Sequence, residues 1–183
     1  STSYQGNSSG IIFNDDGTKM YVPDATSGQI YQYTLSTAFD VSTASYSNNY
    51  SSGYALQSMS FNSDGTKMFL LTSNQIREYS LSTGFDVTSS SVSYTRYTSL
   101  SNQESSMTGL AFNNDGTKMF TVGDSSNRVY EYSLSTAFNV SSSSSLSFTD
   151  SLSIGSEETQ PRGIKFNHDG TKMYISGASG DDI

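Results

Sequence analysis

An eight-residue string, Phe-Asn-x-Asp-Gly-Thr-Lys-Met, occurs four times in this chain: Phe13–Met20, Phe61–Met68, Phe112–Met119 and Phe166–Met173. The spacing sets a unit of roughly 50 residues, the range of repeat architectures in which each block covers its apolar face only against its neighbours. The string reads as a tight hairpin. Gly17, Gly65, Gly116 and Gly170 are placed to take a positive φ without strain, and Asp16, Asp64, Asp115 and Asp169 to hold the reversal through their own backbone. Ile11 and Phe13 precede the first copy in alternation, and Met20 and Val22 follow it. An Asp-Gly pair between two such runs is a strong hairpin signal. A calcium loop would need further carboxylates at fixed offsets and a bidentate Glu. Thr and Lys follow instead, with Lys19, Lys67, Lys118 and Lys172 bringing positive charge, so the turn is read as structural.

A second block recurs in the first three units: Ile30–Val41, Ile76–Val87 and Val129–Val140. In its first half Tyr31, Tyr33 and Leu35 alternate with Ile30, Gln32 and Thr34, which predicts a strand. Leu-Ser-Thr-(Ala/Gly)-Phe then leaves the strand through a turn, with the Phe expected to plug the gap between sheets, a burial that stabilises by roughly 1.5–3 kcal/mol. A Ser-rich strand follows at Ala44–Tyr50, Ser91–Thr98 and Ser145–Ser151, polar enough for an outer edge. The first unit thus predicts strands at Gly10–Asn14, Lys19–Pro23, Gln29–Leu35 and Ala44–Tyr50, with no helical periodicity anywhere.

Four antiparallel strands per unit of this length make the blade of a β-propeller. The pattern Gly-Ile-x-Phe-Asn-x-Asp-Gly-Thr-Lys-Met-Tyr, then x-Tyr-x-Tyr-x-Leu-Ser-Thr, resembles bacterial propeller repeats of the YVTN, NHL and lactonase-like group over nearly the whole chain. The resemblance implies a blade and leaves the activity open, since that group holds adhesins, scaffolds and a few hydrolases or lyases. The expected fold is an all-β propeller segment, 1–183, with repeats at 10–57, 58–108 and 109–162 and a partial fourth at 163–183. Gly180–Ile183 aligns with Thr26–Ile30, and Ser1–Tyr4 reads as an outer strand. The half-blade and a first residue other than Met suggest an excerpt of a longer array, or copies that associate to complete a ring.

Net charge is −8, with four of the nine cations in the repeated turn, so no basic footprint for nucleic acid or anionic membrane exists. With 0 Cys, disulfide and thiol chemistry are excluded. No apolar run approaches a membrane span, and a signal peptide ahead of Ser1 is not expected. Asn7, Asn49 and Asn139 fit the glycan acceptor pattern, which matters only in a secretory pathway.

Chemistry is sparse. The single His, His168, occupies the variable position of the fourth turn, where Asp15, Ser63 and Asn114 sit in the others, and reads as a solvated turn residue. Gly6–Gly10 fits Gly-x-Ser-x-Gly but leads into a strand, not a helix, and is set aside. Lactonase and lyase propellers imply histidines and acids around a central channel, often with a metal; this chain lacks the histidines. The carboxylates eligible for calcium are Asp24, Asp124, Asp181, Asp182, Glu104, Glu157 and Glu158, better read as solvated loop acids. Tyr31, Tyr33, Tyr79, Tyr130 and Tyr132 recur at fixed places and read as packing between blades, not as a sugar platform.

Two loop sets vary between units and fall on one rim: Asp24–Gly28, Thr72–Asn74, Gly123–Asn127 and Ser176–Asp182, and the unit-joining Ser51–Ser58, Ser99–Thr108 and Ser153–Arg162. Variable loops on a rigid frame carry recognition, which nominates Asp24, Tyr54, Glu104, Asp124, Glu158 and Arg162 as binding residues. The expected function is a non-catalytic binding or structural module, not an enzyme, of adhesin or phage-fibre type. Its location is extracellular or at a cell or virion surface. It takes a protein or carbohydrate ligand without a cofactor, and self-associates or belongs to a longer chain. The alternatives are an enzyme or calcium-dependent module built on loop carboxylates, and an architectural repeat that assembles through its incomplete blade.

Overall fold

The computed structural model describes residues 6–141 and 145–179. Among the described residues, fourteen strands run in chain order through three four-stranded antiparallel blades and a two-stranded half-blade. The first blade is β1 (Ile12–Phe13), β2 (Lys19–Pro23), β3 (Gln29–Leu35) and β4 (Ala44–Ser51). The second is β5 (Ser58–Phe61), β6 (Lys67–Leu71), β7 (Gln75–Leu81) and β8 (Val92–Ser99). The third is β9 (Met107–Phe112), β10 (Lys118–Gly123), β11 (Arg128–Leu134) and β12 (Leu146–Ser153). β13 (Pro161–Phe166) and β14 (Met173–Gly177) form the half-blade. The fold is the all-β propeller segment that the repeats predict; the only helical turn among the described residues is a 3-10 turn at Val41–Thr43. Ser1–Tyr4 and Gly180–Ile183 lie outside the described residues.

The conserved hairpin is closed by its own side chains. Lys19 N–H donates to Asn14 Oδ1 at 2.8 Å, and the Thr18 amide and hydroxyl both donate to Asp16 Oδ1. The same set recurs at Asp64, Asp115 and Asp169. β1 is shorter than Gly10–Asn14 because Asn14 is spent on this turn. The outer strands start one residue late in the second and third blades for a similar reason. Ser91 Oγ and Ser145 Oγ accept from the amides of Thr83 and Thr136 and so belong to the preceding loop.

The core lies between blades. One cluster joins Tyr21 and Ile30 to Met59, Met68 and Tyr79; a second joins Phe69 and Leu71 to Leu110 and Met119; a third joins Val122 and Val129 to Ile164. Aromatic triplets mark the first two seams. Phe61 lies 4.8 Å from Tyr21 and 5.3 Å from Phe85, and Phe112 lies 4.7 Å from Phe69 and 5.5 Å from Phe138. Phe39, Phe85 and Phe138 are left-handed, with φ of 60, 59 and 52°. The strain is held because each Phe amide donates to the carbonyl of its own blade's hairpin Gly and the ring covers that Gly.

The alternation in the third strand describes only part of its surroundings. Gln32 and Glu78 are 3% exposed although they sit on the polar register, because each crosses a seam. Gln32 Oε1 accepts from Val87 N–H at 3.0 Å and Glu78 Oε2 from Val140 N–H at 3.3 Å. Beside them Lys19 Nζ donates to the Phe85 carbonyl at 3.0 Å, and Lys67 Nζ to the Phe138 carbonyl at 2.7 Å.

Candidate functional site

The loop rim holds the six residues nominated from sequence, and most of them are occupied locally. Asp24 is buried and accepts from the amides of Thr26 and Ser27 at 2.8 and 3.1 Å. Burial pushes its carboxyl up, but these amides outweigh that and leave it below the usual range. Glu104 accepts from the amides of Ser105, Ser106 and Ser126 and from the Ser126 hydroxyl at 2.6 Å. Here too burial raises and hydrogen bonding lowers, the Ser126 hydroxyl foremost, and the net shift is down. Glu158 repeats the arrangement one unit later, accepting from Gln160 and Ser179 amides and from Ser179 Oγ at 2.6 Å. Gly123 and Gly177 supply the room, since a Cβ at either would strike the overlying glutamate. Both glutamates therefore tie a unit-joining loop to the loop after the second strand of the blade that follows.

Asp124 and Arg162 meet across the last seam at 3.5 Å, and the Tyr54 ring lies 3.5 Å from the Arg77 guanidinium. Asp181 and Asp182 lie outside the described residues. Among the described residues, no three His, Cys, Asp or Glu side chains gather closely enough to hold a metal ion.

On the opposite, hairpin side, residues of β1, β5, β9 and β13 line one cavity. Its volume is about 720 Å³, with Ile12, Ser60, Leu110, Phe112 and Lys165 in its wall and Asn114, His168 and Asp169 at its mouth. An adjoining space of about 620 Å³ shares Asn114, Lys165 and His168 and adds Asp15 and Ser63. All four variable hairpin positions, Asp15, Ser63, Asn114 and His168, thus converge on one mouth while the residues around them repeat. Asn114 Nδ2 donates to the His168 carbonyl at 2.8 Å and ties the third hairpin to the fourth.

His168 is exposed, as a turn residue should be. What the sequence reading lacked was direction: the turn faces this cavity, with Lys165 of β13 beside it. The available signal was variation itself, four different residues at one place in an otherwise constant string. The arrangement offers an imidazole, an ammonium, amides and carboxylates over an apolar floor. That set can bind a small polar solute and move a proton at its carbonyl.

No family model matches the chain, and no curated protein does. Solved structures do match. The periplasmic gluconolactonase of Pseudomonas aeruginosa aligns with a TM-score of 0.58 at 16% identity, over 93% of this chain and 47% of its own. A candidate 6-phosphogluconolactonase of Bacteroides uniformis aligns at 0.64 and 12% identity, over 94% of this chain and 51% of its own. A Lactobacillus plantarum protein aligns at 0.64 and 16% identity, over 95% and 49%. At such identities the likeness is one of fold, to lactonase-type propellers, and the chain spans about half the length of these structures.

These neighbours correct the expectation of a non-catalytic, non-enzymatic adhesin or fibre module: those with a stated activity are lactonases, so the enzymatic alternative is the better supported. The expectation rested on a Ser-rich surface and a shortage of His and Cys. Composition of that kind describes solvation, whereas opening an activated ester needs only one base and one oxyanion donor. No helix among the described residues is long and apolar enough to cross a membrane.

Proposed function

We propose that this chain is part of a propeller hydrolase that opens a small sugar-acid lactone at the hairpin-side mouth of the cavity. The observation that carries the reading is the convergence of the four variable hairpin positions around Lys165. The named activities of the P. aeruginosa and B. uniformis neighbours supply the substrate class.

In this reading His168 takes a proton from water as the water oxygen bonds to the lactone carbonyl carbon. Imidazole suits the task because an unprotonated ring nitrogen can accept the proton and later return it. Lys165 faces the developing oxyanion, where a positioned cation is worth most. The ring C–O bond then breaks, and the proton passes from the imidazolium to the departing alkoxide, giving the open hydroxy acid. Asn114 positions the fourth turn through the His168 carbonyl and presents its remaining amide N–H to substrate hydroxyls. The loop-rim residues Tyr54, Asp124 and Arg162 we assign to shaping the other mouth, and Asp24, Glu104 and Glu158 to holding its loops.

No metal is required by this chemistry. The compartment we propose is non-cytoplasmic, in line with the periplasmic neighbour, and the YVTN and NHL character of the repeats is retained as a proposal about sequence lineage. The direct test is hydrolysis of glucono-δ-lactone followed by acid release at constant pH. The reading expects a rate above the spontaneous one that His168→Gln lowers at least tenfold. A rate equal to that of buffer alone overturns it.

A further inference from the structure

Arg77 of β7 takes the place that Tyr31 holds in β3 and Tyr130 in β11, so the second blade carries a charge where its neighbours carry a phenol. Arg77 is 8% exposed. Its Nη2 donates to Gln75 Oε1 at 2.8 Å, and its Nε–H is enclosed with no hydrogen-bond partner. Among the described residues no carboxylate pairs with it; the ion pairs go to Lys67, Arg96, Lys118 and Arg162. Glu78, the next residue, points to the other face of the strand and is taken by Lys67 and Arg96. A buried guanidinium is costly without an anion to match it.

Two tyrosines flank this cation, and each keeps a large part of its surface in solvent. The guanidinium carbon lies 3.5 Å from the ring centre of Tyr54, on the loop between the first two blades. It lies 5.4 Å from that of Tyr97, its partner across β7 and β8. Tyr54 and Tyr97 are 44 and 54% exposed. Tyr54 follows Gly53, left-handed at φ 75° with open space about it, so the ring over Arg77 stands on a backbone that turns at low cost. Gln75 and the exposed Ser99, paired across the same two strands, share the face of Arg77 and add an amide and a hydroxyl.

We propose that Arg77, with Tyr54 and Tyr97, is a binding site for an acidic sugar, a pyranose ring that bears a carboxylate. Tyr54 turns aside, the carboxylate accepts from Nε–H and a terminal N–H of the guanidinium fork, and the sugar ring lies against a tyrosine face. The fork matches a carboxylate in shape and charge. Gln75 and Ser99 reach the ring hydroxyls. The anion supplies the charge that Arg77 otherwise meets only with rings and one amide, and the ring excludes open-chain acids. This inference does not rest on the hydrolase reading, whose site lies on the opposite rim.

The test is calorimetric titration of the intact protein with methyl β-D-glucuronide, beside methyl β-D-glucoside, which lacks the carboxylate, and gluconate, which lacks the ring. Saturable binding of the glucuronide is expected, with both controls at least tenfold weaker. Arg77→Tyr should weaken it at least tenfold and Tyr97→Ala severalfold. Arg77→Tyr installs the residue that the other two blades carry, so the fold is kept, which circular dichroism checks. Absence of saturable binding, equal binding of either control, or an affinity unchanged in Arg77→Tyr overturns the proposal. So does binding that His168→Gln abolishes and Arg77→Tyr spares, which would place the sugar at the hairpin mouth.

Discussion

Each hairpin Asp accepts two hydrogen bonds from one Thr, and that single feature makes the turn sensitive to acid. The Thr hydroxyl, followed by the Thr amide, holds Asp16, Asp64, Asp115 and Asp169 below the usual carboxylate range. Asp24 and Glu104 are lowered too, against the opposing effect of burial. A carboxylate lowered in the folded state contributes stability above its unfolded pKa, and the contribution is lost as pH falls through the folded value. The thermal midpoint should therefore hold steady from neutrality to about pH 5 and fall between about pH 4 and pH 2. A midpoint level across that acid interval would show that the turn carboxylates contribute little.

The blades are joined by staples that sequence alternation cannot display, because an acid on the polar register of a strand looks solvated. Glu78 is 3% exposed and meets Lys67 at 3.2 Å, Arg96 at 3.6 Å and the Val140 amide. Removing it strands a partly buried cation and a buried amide, so Glu78→Ala should cost about 3 kcal/mol in urea unfolding. Glu131, at the same place in the third blade, meets Lys118 on a half-exposed surface and its removal should cost under about 1 kcal/mol. Equal losses would contradict the stapling role. Strand order, the Asp-Gly hairpins and the plugging Phe85 and Phe138 were legible because each depends on local spacing, whereas Phe39, expected to plug in the same way, is 59% exposed. The left-handed Phe backbone and the buried Gln32 were not, since both answer to groups in other elements: a glycine carbonyl some twenty residues away, and an amide of the next blade.

Over the whole molecule, packing the blades side by side sorts each unit's variable positions onto two rims. The sequence singles out the loop rim because its loops differ in length, whereas the hairpin rim varies at only one residue per unit. The structure shows the loop-rim glutamates engaged in holding loops and the hairpin residues gathered over a cavity. The proposed site was therefore legible as variation and hidden as position, because the rim a turn residue faces is fixed only when neighbouring blades pack. Titrating gluconate, the product of the proposed reaction, into isotopically labelled protein and following backbone amide shifts by NMR separates the two rims. The account predicts perturbations gathered at Asp15, Ser63, Asn114, Lys165 and His168. Perturbations gathered instead at Asp24, Tyr54, Asp124 and Arg162, or none at saturating gluconate, would contradict it.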